Sequence, residues 1–172
     1  MSGPTLATDR LVLRPFRAAD KDAYAAIRLN PANTRFLADL GADAVVARGA
    51  TDASVDAFRA AWHDGFGPWA VEDRTSGALM GHLGLRYLEE LGETELLYML
   101  DHRFWGRGYA AEGGRAALAF GFQDLGLPRI IAVAKPENTA SIAVMERVGM
   151  RRRPGLHRAF GFDVVRYEIE AP

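Results

Sequence analysis

The residues best equipped for chemistry stand together in Trp105-Gly106-Arg107-Gly108-Tyr109-Ala110. Glycines at 106 and 108 let a backbone turn tightly and approach a ligand with no Cβ in the way. The segment leads from an apolar strand-like run into a helical pattern. N–H groups at a helix start point outward without intrahelical partners, and the positive end of the helix dipole stands behind them. That arrangement suits a pyrophosphate, and Arg107 adds a positive charge beside it. From this segment alone, a phosphate site and a glycine-rich turn without a ligand are both admitted. Gly106, Gly108 and Ala111 also fit the G-x-G-x-x-A dinucleotide fingerprint, but the context fails. The glycines do not follow the strand directly, and the next strand ends at Lys135, where a ribose-binding acid is needed. A nucleoside-triphosphatase loop fails as well, because neither Lys21 nor Lys135 follows a glycine.

Such a loop needs strands and helices in a fixed order, and the apolar periodicities supply one. Leu11, Val12 and Leu13 predict a first strand ending at Pro15. Residues 20–29 predict a helix with Tyr24 and Ile27 on one face, stopped by Asn30-Pro31. Residues 31–50 carry no regular pattern. Thr51 is placed as the cap of a second helix, with Val55, Phe58 and Trp62 at helical spacing and Gly65 and Gly67 at its end. Three strands follow at 69–72, 79–87 and 94–100, with a hairpin turn at 73–77. Gly81 and Gly84 mark a bulge or a close contact in the second of them.

Leu118, Phe122 and Leu125 then form a helical stripe closed by Gly126 and Pro128. Residues 130–134 read as a short strand buried on both faces. Asn138 caps a further helix that turns Ile142, Met145 and Val148 inward and stops at Gly149. Val165, Tyr167 and Ile169 alternate with Arg166 and Glu168 in a last half-buried strand. The order predicts a mixed α/β fold over one domain, residues 1–172. Its sheet is mostly antiparallel, with one parallel crossover between Gly106 and Ala134.

An apolar fraction of 49% in 172 residues suffices for a core, and the absence of cysteine excludes disulfides, thiolate metal sites and cysteine nucleophiles. The same absence suits a reducing cytoplasm. Residues 1–10 hold no apolar run, and no stretch reaches the roughly 18 apolar residues of a membrane span. A net charge of -1 offers no basic field for nucleic acid, and Arg151-Arg152-Arg153 reads as a solvated strand end, with a patch that attracts an acidic cofactor or substrate as the alternative. His63, His82, His102 and His157 lack paired ligand spacing, so no metal is expected.

The loop resembles that of the GNAT superfamily of acetyltransferases, which reads Q/R-x-x-G-x-G/A. Trp105 stands at the Q/R position, Gly108 at the first glycine and Ala110 at the last. The tryptophan departs from the general pattern and is similar to the RimJ/RimL-like branch, the ribosomal-protein N-terminal acetyltransferases, with its W-G-x-G-Y-A-x-E. Three further segments resemble that branch in order: Thr8 to Pro15, Asn138-Thr139-Ala140-Ser141 with Glu146 to Met150, and Asp163 to Tyr167.

The resemblance implies a splayed central parallel strand pair flanked by helices, with acetyl-CoA in the V between the strands at 94–100 and 130–134. It implies that the backbone of Met99 and Leu100 pairs with pantetheine, that Trp105 to Ala110 holds the pyrophosphate, and that Asn138 lies beside the pantetheine arm. A backbone N–H near Leu100 is the implied oxyanion donor. The acceptor is a primary amine, on a protein N-terminus or a small molecule. A second copy of the chain is admitted as a partner.

Glu95 is the preferred general base, with a solvent-facing strand glutamate as the alternative; Glu93, His82 and water are its rivals. Glu112 reads as a charge in the first helical turn, not as a base. Many members of the superfamily place a tyrosine acid where this chain has Met145. Ser141 resembles the serine of the closer branch and is expected to protonate the leaving sulfur, or else to bond its own backbone. A chain that kept the loop and lost base and acid would be an acetyl-CoA-binding sensor instead.

Overall fold

The computed structural model describes residues 3–36 and 44–172. β1 (Leu6–Ala7) and β2 (Leu11–Arg14) form a hairpin, and a 3-10 turn leads into α1 (Lys21–Arg28), which buries Tyr24, Ala25 and Ile27. Asn30 caps α2 (Pro31–Thr34) by accepting from Ala32 N. α3 (Ala44–Ala61) begins well before the expected cap. Thr51 lies buried inside it, and its hydroxyl donates to Ala47 O one turn back. Ion pairs from Arg48 to Asp52 and to Asp22 of α1, with Ala47 and Val55 buried, hold the helix through Gly49. Part of the stretch expected to be irregular, residues 37–43, lies outside the described residues.

β3 (Pro68–Asp73), β4 (Leu79–Leu88) and β5 (Glu93–Leu100) form an antiparallel meander. α4 (Tyr109–Gln123) crosses back to β6 (Arg129–Ala134), which lies parallel to β5. α5 (Thr139–Arg147), β7 (Arg151–Arg152), β8 (His157–Ala159) and β9 (Phe162–Glu170) complete the described elements. The sheet order is β1-β2-β3-β4-β5-β6-β9-β7, with β8 against β9. Leu125 falls just past the end of α4 but still packs against the core.

The sheet buries both faces. Leu11, Leu83, Leu96, Leu118 and Ile130 belong to the cluster that includes α4 and α5 residues. Tyr24, Ile27, Val55 and Met99 form a second cluster with residues of α1 and α3. The register of β3 against β4 shifts between Val71 and Glu72, a bulge beside the glycines that were expected to mark one. Gly81 has φ +144°, and a Cβ there would fall 2.0 Å from Met99 O. Only glycine fits, so β4 and β5 approach closely where the second strand ends.

Candidate functional site

The loop after β5 is pinned from both sides. Asp101 caps a 3-10 turn by accepting from Arg103 N at 3.2 Å. The Trp105 indole donates to Leu100 O at 2.7 Å, which folds the loop back onto the strand end. Gly106 and Gly108 have φ +72° and +79°, left-handed values costly for other residues. Gly108 is the N-cap of α4, and the first helical bond runs from Glu112 N to Gly108 O at 3.0 Å. The N–H groups ahead of Glu112 therefore have no acceptor within the helix.

Glu112 is a clamp. It accepts from Thr8 Oγ1 at 2.6 Å, Arg10 N at 2.9 Å and Arg10 Nε at 2.6 Å, tying the β1–β2 turn to the start of α4. Burial alone would raise its pKa, but Thr8 and Arg10 outweigh that and hold it below the usual value. A carboxylate so committed is no base, as the sequence pattern led us to expect. Arg10, to which that pattern assigned no role, donates to Arg107 O at 3.0 Å and lies 4.3 Å over the Tyr109 ring. It sets a second cation beside the loop.

β5 and β6 are in register only at Glu95 and Ile131, and the pair splays beyond it. Asp101 N donates to Met80 O at 2.7 Å, and Met99 O presses on Gly81. By the two-residue alternation of backbone groups, Met99 turns its N–H and C=O toward β4, while Tyr98 and Leu100 turn theirs into the V. Met99 and Leu100, expected to act together, are thus divided. The Leu100 N–H faces the V, and its carbonyl is taken by Trp105.

A cavity of about 760 Å³ lies at this splay, and Glu95, Tyr98, Asn138, Ser141, His82 and Arg86 line it. Glu95 is 3% exposed, which excludes the solvent-facing alternative. Burial pushes its carboxyl above the usual carboxylate range; Arg86, donating from Nε at 3.0 Å, opposes the shift without cancelling it. Glu93 is not among the residues lining this cavity. It accepts from Arg129 at 2.8 Å and Arg166 at 2.5 Å, and these guanidinia overcome burial and keep its pKa low. His82 lies 2.8 Å from the Tyr24 hydroxyl, and burial drives its pKa down to about 3, aided by Arg28 and Arg86. Both side-chain rivals of Glu95 are thereby poor proton acceptors near neutral pH, which leaves water as the third.

Asn138 accepts from Ser141 N at 3.1 Å as the cap of α5. Its oxygen serves the helix, which leaves its amide N–H groups for a ligand. Tyr98 Oη lies 2.9 Å from Ser141 Oγ and donates to Ser141 O at 3.0 Å. Sequence reading missed Tyr98. It alternates with Leu96 and Leu100 and so reads as core, and its only signal was a hydroxyl on the strand expected beside the ligand. Among the described residues no group of three or more His, Cys, Asp or Glu is placed to hold a metal, and no helix is long and apolar enough to cross a membrane.

A family profile described as an acetyltransferase (GNAT) domain matches residues 10–151. A solved acetyltransferase from Agrobacterium tumefaciens superposes with a TM-score of 0.83 at 30% identity, covering 99% of this chain and 96% of that one. RimJ from Mycobacterium smegmatis, solved in complex with CoA-disulfide, superposes with a TM-score of 0.77 at 26% identity, covering 94% and 82%. The uncharacterized protein YkkB of Bacillus subtilis is 38% identical over 84 residues, 48% of this chain. That match spans about half, 49%, of the length of YkkB.

Proposed function

The chain belongs to the GNAT acetyltransferase family, and on that premise we propose that it works, as one domain, as an acetyl-CoA-dependent N-acetyltransferase acting on a primary amine. The observation that carries this reading is the meeting of a buried carboxylate, Glu95, and a helix-terminal hydroxyl, Ser141, on one cavity at the splay of β5 and β6.

The donor fits the residues present. The bare loop from Trp105 to Ala110 would hold its pyrophosphate, with Arg10 and Arg107 beside it. The free edge at Leu100 and the amide of Asn138 would hold the pantetheine arm as an added strand is held. Bound there, acetyl-CoA supplies a thioester, an acyl carbon with a thiolate to leave. Glu95 accepts the proton that the attacking amine must lose, directly or through a water. The Leu100 N–H is the donor aimed at the carbonyl oxygen as it becomes negative. Ser141 gives its proton to sulfur as the C–S bond breaks, and the N-terminus of α5 behind it favours negative charge.

An unperturbed α-amine titrates at about 7.7–8.0 and a lysine side chain at about 10.4, so the α-amine needs far less deprotonation. Protein N-termini and small α-amines are therefore the first acceptors to test. A cytoplasmic setting fits a chain without cysteine. The test is acetyl transfer from acetyl-CoA to a panel of peptide N-termini and small amines. Acetyl-CoA binding with no transfer to any amine would replace the enzyme by a binding module.

A further inference from the structure

The acceptor side of the cavity holds a cation that no group among the described residues fully satisfies. Arg28 ends α1 and lines the cavity together with Tyr24, His82 and Arg86. Its Nη1 is buried and has no hydrogen-bond partner among the described residues. Arg28 is half-buried as a residue, and a buried donor nitrogen left unpaired on it costs stability. Of the other cations lining the cavity, Arg86 pairs with Glu95 and Lys135 lies over the Phe162 ring at 4.2 Å. His82 is kept neutral mainly by burial, helped by the nearby charges of Arg28 and Arg86, and with Arg86 engaged by Glu95 the Arg28 guanidinium is a cation left open to a ligand. Phe58, Phe66 and Leu85 supply apolar wall around it.

We propose that the acceptor carries a carboxylate as well as its amine, and that the carboxylate docks on Arg28 while the amine lies at Glu95. The proposal rests on the acetyltransferase reading and narrows its substrate class to amines with an anionic group and an apolar body. A carboxylate matches the planar fork of a guanidinium and fills the orphaned donor on binding. Fixing the anion at Arg28 also sets where the amine lies relative to Glu95, so the contact governs orientation as well as affinity. The orphaned donor is then an expected feature of a free binding site, stability given up for function.

The chemistry has two sources, the free carboxylate of a small amino acid and an acidic side chain near a peptide N-terminus. Matched acceptors separate them: phenylalanine and leucine against their carboxamides, and peptides with Glu or Gln as second residue. Each pair is assayed with wild type, Arg28→Met and Arg28→Lys. The acid-to-neutral ratio of kcat/KM, compared between proteins, cancels the intrinsic difference in amine basicity. Arg28→Met should lower that ratio about 10–100-fold for the pair of the true source, and Arg28→Lys should restore part of it. The melting temperature of Arg28→Met should stay level or rise, because a buried nitrogen without a partner is removed.

Ratios that are the same in wild type and Arg28→Met for every pair overturn the proposal while leaving acetyl transfer standing. So does transfer confined to amines without a carboxylate. A fall in melting temperature with equal losses for acids and neutrals assigns Arg28 to packing and also overturns it. Absence of transfer to every amine overturns the acetyltransferase reading, and this proposal with it.

Discussion

The Tyr98 hydroxyl reaches two oxygens of one residue, Ser141 Oγ at 2.9 Å and Ser141 O at 3.0 Å. A phenol has one proton to give. Given to the carbonyl, it leaves Ser141 Oγ to donate back to Tyr98. Given to Oγ, it frees the serine proton to face the cleft. Burial raises the phenol pKa, so Tyr98 stays protonated and can sustain either arrangement. Ser141→Ala is expected to slow turnover, by less than Glu95→Gln, with little change in acetyl-CoA affinity. Tyr98→Phe should slow it too if the phenol orients the serine. Turnover with acyl donors of graded thiol acidity decides the matter. Both variants should lose most with the least acidic thiol, and a loss equal for all donors would remove Ser141 as the acid.

Glu95→Gln keeps shape and hydrogen bonding but cannot accept a proton, and turnover should fall about 10²–10⁴-fold. Because burial raises the Glu95 pKa, the acid limb of the wild-type kcat/KM profile should lie above the usual carboxylate range. The variant should lack that limb. Its deficit should shrink as pH rises and more amine is neutral without help. A variant with wild-type turnover near neutral pH would hand the role to water, since Glu93 and His82 are both held as poor bases.

Much of this was legible in the sequence because it was written in short periods. The alternation at Val165, Tyr167 and Ile169 placed β9, and Asn138 capped α5 as its type and position required. The face shared by Glu95 and Met99 followed from parity alone. The errors came where tertiary contacts overrode local pattern. Thr51 reads as a cap, but α3 runs through it because Arg48 reaches Asp22 on another helix, a partner that local sequence does not reveal. Parity gave the side-chain faces but was not extended to the backbone, which is why Met99 and Leu100 were grouped together. Tyr98 and Arg28 were overlooked for one reason: each sits in an apolar helix or strand pattern, and its partner, or lack of one, lies far along the chain.

The loop should discriminate phosphate binding from a merely tight turn. Gly108→Val places a branched side chain at φ +79° directly before α4 and should weaken acetyl-CoA binding at least about tenfold, a loss of about 1.4 kcal/mol. Arg10→Met tests the same site without backbone strain. It should weaken binding less, and should flatten the dependence of affinity on salt, because a surface cation acts through a screened field. Calorimetric titration measures both. Unchanged affinity in both folded variants would move the pyrophosphate elsewhere.

The last prediction concerns the wall that carries Arg28 and Tyr24. Arg14 on β2 forms a two-toothed pair with Asp20, Nη1 to Oδ2 at 2.8 Å and Nη2 to Oδ1 at 2.9 Å, and also meets Glu72 at 2.6 Å. Asp20 further accepts from Arg17 N at 2.6 Å, so the pair fixes the chain where it enters α1. Burial alone would raise the Asp20 pKa, but Arg14 and the Arg17 N–H outweigh it and hold it below 3.8. A folded pKa lower than the unfolded one gives stability that is fully present above the unfolded value and lost as pH falls through the folded one. Asp20→Asn leaves buried Arg14 with Glu72 as its one remaining carboxylate, beside the Pro15 carbonyl, and should cost about 3 kcal/mol near neutral pH. Urea unfolding of wild type and variant measures this, and the gap should close as pH drops well below 3.8, where Asp20 is protonated in the wild type as well. A gap that persists undiminished at that pH would mean that the contribution is steric, not ionic. Near neutral pH the same variant should loosen the entry to α1 and raise KM for the acceptor more than for acetyl-CoA, since α1 lines the cavity directly while it reaches the loop after β5 at one remove, through Asn33, which bonds Ile27 O and His102 N.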